Sequence, residues 1–322
     1  PTPLNIIKLQ DPVVGGFWID YANYTGTGLN EIYGLDYTVT PTTQLANHPY
    51  VIESIIKNNG AADQTVTLKY EATGIGATSG SYSGASAATS VLANSATNEN
   101  DSAIIAAAPS LSPSQGQYLV SIWGESDSAG TVVAYSDTAL KLVEISDYIY
   151  GKDNGEQSID GDWMIGGPNH NWHFTTRYDI YANEQLYGLR VFITDESVPG
   201  AMVKAIIYEK DSTATNGVML LAESDDYAIT GFDLGAWVDI PFISPISLLD
   251  GFSYEFGIVG YQSFSDSVFV GTSGESLYNG EHRLFDEQGL NPNDPSNSGI
   301  PFWYYTTRTP MVRMSFDPSL TP

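Results

Sequence analysis

Residues 65–72 alternate strictly, with Val66, Leu68, Tyr70 and Ala72 on one side of the chain and Thr65, Thr67, Lys69 and Glu71 on the other. A period of two is satisfied by an extended strand with one buried face, whereas a helix would scatter these apolar side chains around its axis. The pattern recurs in Gly116-Gln117-Tyr118-Leu119-Val120-Ser121-Ile122-Trp123, and Thr131 to Tyr135 and Ala139 to Ile145 supply two further strands. Tyr50 to Lys57 is a β-branched run closed by Asn58-Asn59-Gly60, residues that tolerate the positive φ of a tight turn. This run and the strand from Thr65 are therefore expected to form a hairpin. Residues 74–102, rich in Gly, Ser, Ala, Thr and Asn, read as long loops or weak edge strands. Ser102 to Ala108 suits one short turn of helix, which Pro109 and Pro113 keep from growing.

A turn-rich stretch, Tyr150-Gly151-Lys152-Asp153-Asn154-Gly155, follows the last of these strands and sets a domain boundary near Asp147. Beyond it, short strands are expected at Leu186 to Ile193, Met202 to Glu209, Met219 to Glu223, Trp237 to Phe242, Ser253 to Tyr261, Ser267 to Gly271, Phe302 to Thr306 and Met311 to Phe316. Asp250-Gly251 turns the chain into the alternating Tyr254, Phe256 and Ile258. With 322 residues, two cores are a better solution than one. The predicted fold is all-β with almost no helix: a sandwich over residues 1–146 and a jelly-roll-like sandwich over residues 147–322.

Charge narrows the partners. Twelve Lys plus Arg against 38 Asp plus Glu leave a net charge of −26, which repels nucleic-acid phosphates and anionic membranes. Only 16% of residues are charged, so the polarity is carried by hydroxyls and amides, a mix typical of extracellular β proteins. The absence of cysteine excludes disulfides, thiolate nucleophiles and Cys-ligated metals. No apolar run approaches the length of a membrane-spanning helix. The chain begins at Pro1 and reads as a processed product or an excised fragment.

Two stretches resemble known modules. Ile56-Lys57-Asn58-Asn59-Gly60-Ala61, the strand Thr65 to Glu71 and Gly116-Gln117-Tyr118 resemble the CARDB-like, immunoglobulin-type domains of bacterial surface proteins, over roughly residues 45–145. The second half, from Tyr148-Ile149-Tyr150-Gly151-Lys152-Asp153-Asn154-Gly155 to Pro310-Met311-Val312-Arg313-Met314-Ser315-Phe316, is similar to the β-sandwich module of large secreted Bacteroidota proteins. These resemblances imply an immunoglobulin-like first domain and export by type IX secretion. No sorting domain is present in this sequence, which leaves that route open.

Candidate sites are few. His170 and His173, with Asp160 and Asp162 upstream, read either as a mixed metal site or as a turn and strand whose histidines bond locally while Trp172 and Phe174 pack inward. Asp286, Asn291, Asn293, Asp294 and Asn297 lie in a Pro- and Asn-rich stretch whose oxygens suit calcium, and which also makes turns unaided. Gly80-Ser81-Tyr82-Ser83-Gly84 lacks the strand-to-helix context of a nucleophile elbow. Phe302-Trp303-Tyr304-Tyr305 is the densest aromatic patch, and alternation sends Phe302 and Tyr304 to one face and Trp303 and Tyr305 to the other. One of those pairs is expected to face solvent or a neighbour. Phe17, Trp18, Tyr21 and Tyr24 form a lesser cluster.

The expectation is thus a non-catalytic extracellular or cell-surface module, acting in adhesion or as a structural subunit and meeting a protein or glycan partner. The alternative is a carbohydrate-binding accessory region of a larger secreted hydrolase. Edges poor in lysine also leave self-association by strand pairing open.

Overall fold

The computed structural model describes residues 7–14, 18–20, 32–34, 37–50, 52–93, 103–106, 111–128, 130–153, 155–158, 161–168, 170–210, 218–275, 282–286, 301–306 and 308–320. The chain divides into two compact units, Pro1–Ser146 and Asp147–Pro322. Both are β-sandwiches, and among the described residues the one α-helix is Thr42–Asn47.

In the first unit, a seven-stranded sheet is built on the long strands Gln64–Gly74 and Gly116–Ser128. A three-stranded sheet of Ile7–Val14, Ile52–Asn58 and Ala103–Ala106 supplies the other layer. The alternation has its physical cause here. Val66, Leu68, Tyr70 and Ala72 interlock with Tyr118, Val120 and Ile122 of the neighbouring strand and with Ile52 and Ile56 of the other sheet. Ser81–Ala85 lines the sheet edge, and its Gly84 is required, because a Cβ there would lie 2.4 Å from the Tyr70 ring.

The hairpin expected at Asn58-Asn59-Gly60 does not form. Ile52–Asn58 pairs with Ile7–Val14 and Ala103–Ala106, whereas Gln64–Gly74 pairs with Gly116–Ser128 in the other sheet. The buried Asn58 side chain accepts from the Gly60 N–H at 2.8 Å and donates to the carbonyls of Ala62 at 2.8 Å and Val91 at 3.2 Å. Those bonds shape a crossover between layers instead of a reversal within one. Ala103–Ala106, which suited a helical turn, is a strand, because the open edge of Ile52–Asn58 offers it a full ladder.

In the second unit, most successive strands alternate between two layers, the wrapping of a jelly roll, and two hairpins stay within one layer. Asp162–Gly167, Glu184–Ile193, Ala236–Leu248, Val268–Glu275 and Val312–Ser315 form one layer. His170–Asp179, Met202–Lys210, Ser253–Gly260 and His282–Asp286 form the other, with Val218–Glu223 and Phe302–Thr306 at its edges. The layers join at a turn, where Gly166 opposes Asn171 and Gly167 opposes His170. Phe174, Phe256 and Ile258 from one layer and Leu189, Val191 and Val312 from the other are fully buried in the unit's interior.

Residues 151–153, within the stretch read from the sequence as turn-rich, are buried. Arg313 donates from Nε to Asp153 Oδ2 at 2.8 Å and from Nη2 to Oδ1 at 2.5 Å, with its guanidinium 4.2 Å from the Trp237 ring centroid. Lys152 Nζ donates to the Arg177 carbonyl at 2.9 Å. Breaking one side of a buried ion pair strands the other charge, so Asp153→Ala is expected to destabilise the second unit by about 3–5 kcal/mol. Asp153→Leu combined with Arg313→Met should recover most of that loss. Urea denaturation of the three proteins checks both statements.

His282 is buried in its strand, with Nδ1 3.0 Å from Thr176 Oγ1. Burial, with a smaller push from the Lys152 charge, lowers its pKa from 6.5 to about 3. Below about pH 6.5 the unfolded chain takes up a proton that the folded chain refuses. The stability from neutral His282 is therefore complete above that pH and is lost as the pH falls towards about 3. Between about pH 7 and about pH 5.5 the loss should be about 1 kcal/mol, and His282→Gln should remove that slope from the urea midpoints.

Candidate ligand-binding site

One end of the second unit gathers the connections that follow Ile193, Glu223 and Gly260, and each is held by local bonds. Val198-Pro199-Gly200-Ala201 is a tight turn closed by the Ala201 N–H on the Val198 carbonyl at 3.1 Å, with Gly200 at φ 98°. Proline followed by a left-handed glycine is the chemistry such a turn demands. Gly200 then donates to the Ile229 carbonyl at 2.7 Å, and Val198 to the Ser267 carbonyl at 2.8 Å, so the three connections are tied together.

Between them lies a cleft of about 250 Å³, lined by Met202, Asp226, Tyr261, Gln262, Ser263 and Asp266 together with small residues. The Tyr261 hydroxyl donates to Asp226 Oδ1 at 2.6 Å. Burial raises the Tyr261 pKa, and the Asp226 carboxylate adds to the shift, so the phenol keeps its proton. Lys204 Nζ sits 3.1 Å from Glu223 and 3.8 Å from Asp226. Burial disfavours the Lys204 ammonium, but Glu223 and Tyr261 outweigh it and hold its pKa above the usual value. The wall thus presents two carboxylates, a phenol, an amide and a hydroxyl, with the Lys204 ammonium bonded behind Asp226.

Two phenylalanines project from the connections that form this cleft, Phe264 next to the lining residue Ser263 and Phe232 in the connection that carries Asp226. Phe232 is 96% exposed and Phe264 88% exposed. Neither sits on a floppy tip. In the Phe232 turn, Asp233 Oδ2 accepts from the Thr230 N–H at 2.7 Å, the Thr230 hydroxyl at 2.8 Å and the Tyr227 hydroxyl at 3.1 Å. Partial burial raises the Asp233 pKa, and these donors outweigh it, holding the carboxyl below the usual range. In the Phe264 turn, Ser263 Oγ accepts from the Asp266 N–H at 3.1 Å and donates to Asp266 Oδ2 at 3.1 Å. Both rings are presented to water by rigid turns, an arrangement that favours a partner over the fold.

The aromatic patch singled out from the sequence is divided. Phe302 and Tyr305 are exposed, on opposite faces of the edge strand, while Tyr304 and Trp303 are half-buried. No exposed pair shares a face. Trp303 stacks on Phe285 at 4.7 Å and lies 4.3 Å from the Arg283 guanidinium, so the fold itself occupies that ring. Arg283 in turn donates from Nε to the buried Glu255 carboxylate at 2.8 Å.

Asp286 stands in the strand His282–Asp286, opposite Trp172 and Phe302 and 1% exposed, not in a solvated loop. Asn291, Asn293, Asp294 and Asn297 lie outside the described residues, as do Asp160, Phe17, Tyr21 and Tyr24 and the Trp18 side chain. Among the described residues no group of three or more His, Asp or Glu side chains is placed to hold a metal. His170 and His173 point to opposite faces of one strand: His170 Nδ1 lies 2.8 Å from the Pro168 carbonyl and His173 Nδ1 2.6 Å from the Tyr208 hydroxyl. No described helix is long and apolar enough to cross a membrane.

No protein-family model and no curated protein matches the sequence. Among solved structures, an α-L-rhamnosidase from Aspergillus terreus aligns with 94% of this chain at 10% identity and a TM-score of 0.25, and the chain spans 29% of that enzyme. The tandem CBM22-1 and CBM22-2 domains of Xyn10C from Paenibacillus barcinonensis align with 83% of this chain and 94% of their own length, at 10% identity and a TM-score of 0.22. At such scores neither likeness bears on what this chain does.

Phe232 and Phe264 were missed in the sequence because each stands alone. Their signal was a single large apolar residue inside a turn of polar ones, Thr230-Gly231-Phe232-Asp233 and Ser263-Phe264-Ser265-Asp266. If these rings serve a partner, Phe232→Ser and Phe264→Ser together should leave the unfolding free energy within about 0.5 kcal/mol of the parent. Thermal and urea denaturation check this, and a large loss would return both rings to the fold.

Proposed function

We propose that the chain is a non-catalytic glycan-binding module of a secreted protein, and that the loop end of the second unit is its binding site. The observation that carries the reading is the pair of exposed rings on the bonded connections that also form a cleft of hydrogen-bonding groups. Sugars have apolar faces ringed by hydroxyls, so an aromatic platform beside carboxylate and amide groups suits both aspects of them. A net charge of −26 and two carboxylates in the cleft favour neutral sugars over uronates and phosphates. The hydroxyl- and amide-rich composition, the resemblance of the first half to surface proteins and that of the second to secreted ones support a place outside the cell. This reading takes up the accessory-module alternative and keeps adhesion as the use a surface protein makes of such binding.

Calorimetry with cellohexaose, xylohexaose and mannohexaose, and with trigalacturonate as an anionic control, tests the site. At least one neutral oligosaccharide should bind and the uronate should not. Phe264→Ala should weaken binding by about ten-fold or more, as expected for a ring contributing about 1.4 kcal/mol, and Asp226→Asn by a smaller factor. Absence of binding to all three sugars, or binding indifferent to both substitutions, would overturn the proposal.

A further inference from the structure

The hydrogen bonds around the cleft divide its groups into those the fold has used and those it has left over. The donors are largely used. The Tyr261 hydroxyl gives its proton to Asp226 Oδ1 at 2.6 Å, and the Ser263 hydroxyl gives its own to Asp266 Oδ2 at 3.1 Å. Behind them, Lys204 Nζ donates to Glu223 Oε1 at 3.1 Å and lies 3.8 Å from Asp226 Oδ1. The backbone is committed in the same way. Gly200 N–H donates to the Ile229 carbonyl at 2.7 Å, Ala201 N–H to the Val198 carbonyl at 3.1 Å and Ser263 N–H to the Gly167 carbonyl at 3.2 Å. Asp266 N–H donates to Ser263 Oγ at 3.1 Å. Gln262 carries the side-chain donor that remains in the lining.

The unused groups are acceptors. Tyr261 and Lys204 both meet Asp226 at Oδ1, and Ser263 meets Asp266 at Oδ2. Asp226 Oδ2 and Asp266 Oδ1 have no hydrogen-bond partner among the described residues, so these two oxygens are left to accept from a ligand. Carboxylate oxygens accept and never donate, so such a lining selects by hydrogen-bond polarity. A free sugar hydroxyl turns its proton towards the carboxylate. An O-acetyl ester has no proton to give, and it sets its own carbonyl oxygen against another acceptor. The carboxylate then loses water and gains no partner, which is the costly side of the exchange.

We propose that the cleft takes a sugar edge of unsubstituted hydroxyls, and that O-acetylation of a glycan switches its binding off. The proposal rests on the glycan reading above and names which neutral glycans the site accepts.

Calorimetry with cellohexaose, xylohexaose and mannohexaose, each free and O-acetylated, tests it. For any hexaose that binds, the free form should bind about ten-fold or more tighter than the acetylated one. Asp226→Asn then separates hydrogen bonding from size. In that variant the Tyr261 proton still takes the side-chain oxygen, so an amide N–H₂ stands where Oδ2 stood and can donate to an acetyl carbonyl. The gap between the two forms should shrink by about three-fold or more, with the melting temperature unchanged. Asp266→Asn makes the same exchange on the other wall, where Ser263 holds one oxygen, and should act in the same direction. Failure of every free hexaose to bind would remove the glycan reading and this proposal with it. An acetylated form that binds as tightly as its free form, or a gap that both substitutions leave untouched, would overturn this proposal alone and return any exclusion of acetyl groups to bulk.

Discussion

The second unit depends on where Arg313 goes. Its guanidinium is shared between the Asp153 carboxylate and the Trp237 ring, so one side chain ties the residues entering the unit to its last strand and to an edge strand. In a wrapping where most consecutive strands lie in opposite layers, local hairpins hold only the two edges of one layer, Met202–Lys210 with Val218–Glu223 and His282–Asp286 with Phe302–Thr306. Long-range contacts must hold the rest, after the loop-closure entropy has been met. The Asp153–Arg313 contact spans 160 residues and closes the wrap. Glu255 plays the matching part in the other layer, accepting from Thr175 at 2.5 Å and from Arg283 at 2.8 Å. Burial pulls the Arg283 pKa down to about 10, which leaves it charged at neutral pH. With twelve cationic side chains in the chain, committing these arginines to buried or half-buried partners leaves the surface to carboxylates.

The same economy of buried partners explains why the richest aromatic stretch is a poor guide to function. On the face of the second layer turned away from the unit's core, Tyr208, Val259, Thr175 and Glu255 are nearly inaccessible to solvent. Trp303 and Phe285 complete that packing. A ring that already stacks on a neighbour and lies over an arginine has its faces occupied, so its density in the sequence reflects packing. Phe232 and Phe264 are instead almost wholly exposed, although neither belongs to a dense aromatic stretch.

The strand pattern was legible where one residue type answers one local demand. Val66 to Ala72 alternates because one face meets a core, and Asp250-Gly251 turns because Gly251 sits at φ 79°. The failures have the opposite character. Asn58 looked like a turn residue, but its side chain bonds to the carbonyl of Val91, 33 residues away, and nothing local announces that. Ala103–Ala106 follows a partner strand against its own helical leaning. Thr42–Asn47, six residues long, is too short to display a helical period, and it holds because Leu45 reaches the core. The cleft belongs to the same class, since Gly200, Asp226 and Tyr261 come from separate connections that only the jelly-roll wrap brings together.

That wrap also decides which surfaces are free to carry function. Layer interiors are closed by apolar packing, and the Ala236–Leu248 edge is closed by its prolines. What remains among the described residues are the ends of the sandwich, where connections are tied to one another by backbone bonds. A binding site requires side chains held to within fractions of an ångström, which the cross-tied connections at the loop end supply.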